Sequence, residues 1–171
     1  MPGKDDRNST ALATLRIIVG IFFLLFGQYK VFGTNFTMHG GFEGWIRSFL
    51  AEGAYPWMKP VLLHWILPHA RVCAFATAYG ELLIGMGLVT GVLTRVASVF
   101  GTALMALLWA SAGYPGAHVA LWRYFGASLQ WSVFMACFVT FILGEPEARW
   151  SLTPYLQRAM GNYRRRGAEK N

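Results

Sequence analysis

The sequence predicts an all-α integral membrane protein, a four-helix bundle with an amphipathic interfacial helix between the first and second spans. Hydrophobic residues make up 55% of the 171 and charged residues only 13%. That charged share is about half that of an average soluble domain and too small to cover a water-facing surface. The apolar residues gather into runs at about 11–33, 70–91, 94–112 and 121–144, each close to the ~20 residues that cross ~30 Å of hydrocarbon. Tryptophans cluster at the edges of these runs, where amphipathic rings sit at headgroup level.

The first run, Ala11 to Gly33, follows the cap-like Asn8-Ser9-Thr10 and contains Arg16. It is longer than the apolar region of a secretory signal peptide and lacks small residues at a cleavage site, so it is expected to span. The second, third and fourth runs are expected to be helical as well, because irregular backbone facing lipid leaves its polar groups unpaired. Three segments follow: an N-terminus over 1–10, a transmembrane domain over 11–144 and a basic tail over 145–171.

Between the first two spans, Phe42, Trp45, Ile46, Phe49 and Leu50 recur at the spacing of one helical face. Glu43 and Arg47 lie opposite, at the i, i+4 separation of an ion pair. This helix is expected to lie in the interface or cap the bundle. A second apolar stretch, Val61 to Leu67, is bracketed by Pro60 and Pro68 and is too short to span; it is expected to dip back toward the bundle.

Counting basic residues sets the orientation. With the N-terminus inside, Lys4, Arg7, Arg16, Arg95, Arg149, Arg158, Arg164, Arg165, Arg166 and Lys170 fall on the cytoplasmic side. Lys30, Arg47, Lys59, Arg71 and Arg123 fall outside. The excess places both termini in the cytoplasm and the protein in the inner or plasma membrane. It also accounts for the net charge of +7, with the Arg164–Arg166 triplet meeting anionic headgroups. No nucleic-acid partner is expected. Cys73 and Cys137 have no CxxC spacing, which signals neither a disulfide framework nor a dithiol redox motif.

Glu81 stands about ten residues into its span, roughly 15 Å along the helix and so near mid-bilayer. Ionisable groups there are rare and usually face the bundle interior, paired or lining a cavity. Arg16, Gly20, Phe23, Gly27 and Lys30 form one stripe on the first span; Ala74, Ala78, Glu81, Gly85 and Leu88 form another on the second. Two such stripes predict two helices packed face to face, with glycines allowing close approach. Lys30 can reach inward toward Glu81, or snorkel outward and leave Glu81 neutral on a backbone carbonyl or hydroxyl. Glu81 is therefore either a proton-carrying or ligand-binding group or a structural one.

Arg123 and Gln130 share a face of the fourth helix. Arg123 is either a boundary residue or part of a site, and Gln130 can hydrogen-bond between helices. His39, His64, His69 and His118 all fall on the outer side. With Arg47, Lys59, Arg71 and Arg123 they either form a receiving face for a small anion or simply mark where the loops are. No HExxH or Cys/His spacing signals zinc, and no glycine-rich dinucleotide fingerprint is present, so no bound metal or flavin is signalled.

The stretches RIIVGIFFLLFGQYKVFG (Arg16 to Gly33) and GELLIGMGLVTGVLTR (Gly80 to Arg95), with the order of elements, resemble the DoxX/DoxD family of small four-helix membrane proteins. The wording around Gly80 to Gly85 is similar to the DoxD-like branch and to the membrane subunit of thiosulfate:quinone oxidoreductase. The resemblance implies a membrane component passing electrons from a small sulfur donor, thiosulfate in the type case, to quinone as electron acceptor. It also implies further membrane or extracytoplasmic subunits, and a homo-oligomer is a further option. The family's charged positions fall on Arg16, Lys30, Glu81 and Arg95. On this reading Glu81, with Lys30, relays a proton to or from the quinone. Arg16, Arg95, Arg123, His64, His69, His118 and Gln130 are the substrate-binding candidates, Gln130 as a partner for a quinone carbonyl. Two other classes compete: a non-catalytic scaffold or assembly factor, in which the charged stripe only fixes helix register, and a small proton-coupled transporter.

Overall fold

The computed structural model describes residues 4–126, 128–144, 146, 149–155 and 158. The Arg164–Arg166 triplet, Lys170, Glu145 and Glu147 lie outside the described residues. Among those described the fold is helical, without strands. The chain is an all-α membrane bundle: among the described residues three helices are long and apolar enough to cross a bilayer, and a shorter apolar helix packs with them.

Helix α1 runs Lys4–Phe32, seven residues earlier than the apolar run. The expected cap at Asn8-Ser9-Thr10 is instead helix interior, where the Thr10 hydroxyl donates to the Asp6 carbonyl at 2.7 Å. Arg149 holds this extension, donating to Thr10 Oγ1 at 2.6 Å and Asp6 Oδ1 at 2.7 Å.

The largest helix contact is between α1 and α5, Ala70–Thr90, and it uses the two stripes. A Cβ on Gly27 would lie 2.9 Å from the Leu82 backbone nitrogen, and one on Gly85 2.8 Å from the Leu24 nitrogen. The glycines are there because the two backbones touch. Ala74, Ala78, Glu81, Gly85 and Leu88 are all buried in this contact face.

Helix α5 closes at Gly91, whose φ of 72° is the left-handed conformation that suits glycine. Helix α6, Thr94–Ala112, then turns back. The last apolar helix, labelled α8 below, is Leu129–Leu143. Its 15 residues rise about 22 Å, less than the run 121–144 predicts. The run is broken: Arg123–Gly126 forms a separate short turn, α7, and Ser128 precedes α8 in non-helical backbone. Where α6 and α8 pack, the Phe138 ring sits directly on Gly101. Phe138 also meets Phe23 edge-to-face at 5.1 Å, joining α8 to α1 in a core with Val19, Leu88 and Met105.

A lid covers the Lys30 end of the bundle. It comprises α2, Asn35–Met38, then α3, Gly41–Ser48, then a π-helical turn, Phe49–Gly53. Ile46, Phe42, Phe49 and Leu50 pack inward with Tyr55, Met58 and Leu62. The Tyr55 N–H donates to the Ala110 carbonyl at 3.1 Å and the Tyr114 N–H to the Gly53 carbonyl at 2.9 Å, so the lid is tied to the end of α6.

Arg47 and Glu43 pair at 2.7 Å with both side chains about half exposed. Such a pair contributes about 0.3–0.5 kcal/mol, so Glu43→Ala is expected to shift the thermal unfolding midpoint in detergent by no more than a degree or two.

The Pro60–Pro68 stretch does not dip back as a separate segment. Residues Lys59–Thr90 form one continuous helical span, comprising a short α4, Lys59–Val61, a π turn, Leu62–Ile66, and a 3₁₀ turn, Leu67–His69, leading into α5. The wider and tighter turns accommodate the two prolines, with Pro60 in the first turn of the span and Pro68 at the change from π to 3₁₀ geometry.

Candidate functional site

Lys30 lies in the last turn of α1 and Glu81 in the middle of α5. Because the stripes face each other, the lysine stem turns into the bundle, and Nζ meets Glu81 Oε1 at 2.5 Å. Only 12% of the Lys30 side chain and 5% of the Glu81 side chain is exposed. The other carboxylate oxygen, Oε2, is buried with no hydrogen-bond partner among the described residues.

The lid completes the enclosure. The ammonium lies 5.1 Å from the Phe36 ring centre and 5.8 Å from that of Trp45, within cation–π range. Below the lid a cavity of about 210 Å³ is lined by Lys30, by Phe42, Trp45 and Phe49 from the lid, and by Cys73, Thr77, Leu104 and Ser111 from α5 and α6. It is an apolar chamber with one charged corner.

Desolvating two ions costs several kcal/mol each, and apolar residues of similar volume often serve stability as well or better. A need for stability therefore gives little reason for the pair. What the arrangement offers is an ammonium with donors in excess of its one carboxylate partner, an oxygen able to hold a proton, and mostly apolar walls.

Arg16, on the same stripe as Lys30, belongs to a different place. Fourteen residues of helix separate the two, roughly 21 Å. Arg16 is wholly buried at the other end of the bundle, where it donates to the Trp150 carbonyl at 2.7 Å and the Arg149 carbonyl at 3.4 Å. Around it the Ser151 and Thr153 hydroxyls donate to the Gly91 carbonyl at 2.9 and 2.8 Å. Arg16 thus fastens the segment after α8 to α1, while Ser151 and Thr153 fasten it to the α5–α6 turn.

The remaining candidates are exposed. Arg95 lies in the first turn of α6. His69 Nδ1 is 3.0 Å from the Trp65 carbonyl, and Arg123 stacks over Trp122 at 5.7 Å. His64, His118 and Gln130 also face outward. Among the described residues, no hydrogen bond or ion pair joins these side chains to each other or to Lys30–Glu81, and no group of three or more His, Cys, Asp or Glu is gathered to hold a metal.

Sequence reasoning missed the cavity walls. Phe36 carried no signal as a site residue, and Phe42, Trp45 and Phe49 read only as the apolar face of an interfacial helix. Their i, i+3 and i+4 spacing was the available signal, and it says which face packs but not that a chamber is left beneath it.

A family model described as DoxX matches residues 11–113, which takes in α1, the lid, α5, α6 and both members of the buried pair. No curated protein and no solved structure matches the chain.

Proposed function

The chain belongs to the DoxX family, and from that premise we propose that it is a DoxD-like membrane redox component, passing electrons from a small sulfur donor such as thiosulfate to quinone. The observation that carries this reading is the buried Lys30–Glu81 pair, whose lysine lines an apolar cavity beneath the lid. A bound quinone supplies the electron-accepting chemistry, taking up two electrons and two protons. The residues suit its head. Lys30 has N–H donors beyond the one given to Glu81, free to hydrogen-bond a ring carbonyl. Glu81 holds a proton on its carboxylate and passes it within the chamber, and the aromatic lid keeps bulk water from short-circuiting that transfer.

On this reading the protein lies in the plasma membrane with both termini cytoplasmic, so the lid faces outward, where an anionic donor arrives. Further membrane or extracytoplasmic subunits deliver the electrons.

Membranes from a deletion strain of the chain's own host that re-expresses it, so that the further subunits are present, are assayed for quinone reduction with thiosulfate or sulfite to test the proposal. Donor-dependent reduction above an empty-vector control is expected, falling about a hundredfold in Glu81→Gln at equal protein level, the range of a lost general acid or base. Full retention of function in Glu81→Gln would leave the scaffold reading. Proton-coupled solute uptake in liposomes, without quinone reduction, would leave the transporter.

A further inference from the structure

The cavity beneath the lid is too small to be the whole of a binding site. Ligand sites commonly occupy about 300–1,000 Å³, and the cavity has about 210 Å³. It does not stand alone. A second cavity of about 780 Å³ runs as a groove between α5 and α6, and the two share Ala76, Thr77, Leu104 and Leu107 in their walls. Away from that junction the groove is apolar and flanked by residues that face the lipid, Leu83 and Phe100 among them, each more than 60% exposed.

The groove owes its width to small side chains. A Cβ built on Gly80 meets nothing within 4 Å, so the space beside it is empty of protein. Gly27 and Gly85 differ, because their missing Cβ atoms make room for a neighbouring helix. Gly80 therefore makes no room for a neighbouring helix and leaves the groove open at its side.

We infer that the groove between α5 and α6 holds the polyprenyl tail of an amphiphile whose head lies at Lys30–Glu81, the ligand entering sideways from the bilayer through the junction at Ala76, Thr77, Leu104 and Leu107. This rests on the quinone reading above and adds to it a tail site and a route. The head chamber carries the charge and the groove carries none, as a molecule with one polar end and one long apolar end requires. A second copy of the chain seated on the groove would cover the lipid-facing part but would leave unexplained why the groove and the chamber share a wall.

The test uses the full chain in lipid nanodiscs, with tryptophan quenching read against quinone mole fraction in the bilayer so that partitioning cancels. Two probes share one head, one with a single isoprenyl unit and one with a long polyprenyl tail. Wild type is expected to bind both and to hold the long-tailed probe more tightly. Gly80→Phe and, on the opposite wall, Ala103→Phe fill the groove. Excluding even a short length of chain weakens binding by about tenfold, so both variants are expected to lose about that much for the long-tailed probe. Binding of the short-tailed probe, which also reports that each variant is folded, should change less than about twofold. Unchanged long-tail affinity in both variants, with the short-tailed probe still bound, would overturn the tail site and leave the quinone reading standing. No binding of either probe by wild type would overturn both. A change of oligomeric state in the variants, with quinone affinities unchanged, would give the groove to a second copy of the chain.

Discussion

Glu81→Leu alone is expected to destabilise the protein by about 3–5 kcal/mol, because it leaves the Lys30 ammonium buried without its carboxylate. Lys30→Met alone leaves the carboxylate in the same position. The double variant Lys30→Met/Glu81→Leu removes both charges and fills the site with side chains of similar size. It is expected to recover most of the loss in one double-mutant cycle, read as unfolding midpoints in mild detergent. Additive losses in the double variant would mean that the two groups do not compensate each other, contrary to the 2.5 Å contact.

Gly85→Val is expected to have the next largest effect. An added Cβ would lie 2.8 Å from the Leu24 nitrogen and 2.9 Å from the Gly20 carbonyl oxygen. These are backbone atoms and cannot turn aside as a side chain would. Overpacking of this kind costs about 1–3 kcal/mol, and relief requires α1 to move away from α5. That movement would draw Lys30 from Glu81, so quinone reduction should fall together with stability. Gly80→Ala, one turn away on an open face, is the control and should change the midpoint little. Equal tolerance of both substitutions would contradict the close approach of α1 and α5.

The helix pairing was legible in the sequence because it is a periodic property. Gly20, Gly27 and Lys30 on one helix and Ala78, Glu81 and Gly85 on the other announce a shared face, and the structure packs those faces together. The lid was legible for the same reason, down to the Glu43–Arg47 pair. Periodicity has no memory of distance along the axis, however. Arg16 shares the stripe of Lys30 yet sits at the opposite end, bound to carbonyls more than 130 positions away in the chain. Hydropathy likewise averages over Gly126 and Ser128, where the last apolar run breaks into α7 and α8. The outer histidines were placed on a side of the membrane by topology alone, which does not fix whether their side chains converge. The chamber under the lid depends on Phe36, Trp45, Thr77 and Ser111 closing round Lys30 from four separate elements, and no local pattern records that closure.

The proposed function requires the buried pair to act in the reaction, not only to hold two helices in register. Thiosulfate-dependent quinone reduction by membranes carrying Lys30→Met/Glu81→Leu, the variant expected to keep the fold without the charges, separates the two roles. Wild-type membranes should reduce quinone above the empty-vector control, and the double variant, at equal protein level, should fall to that control. Reduction by the double variant at the wild-type rate would contradict the claim and return the pair to a structural role.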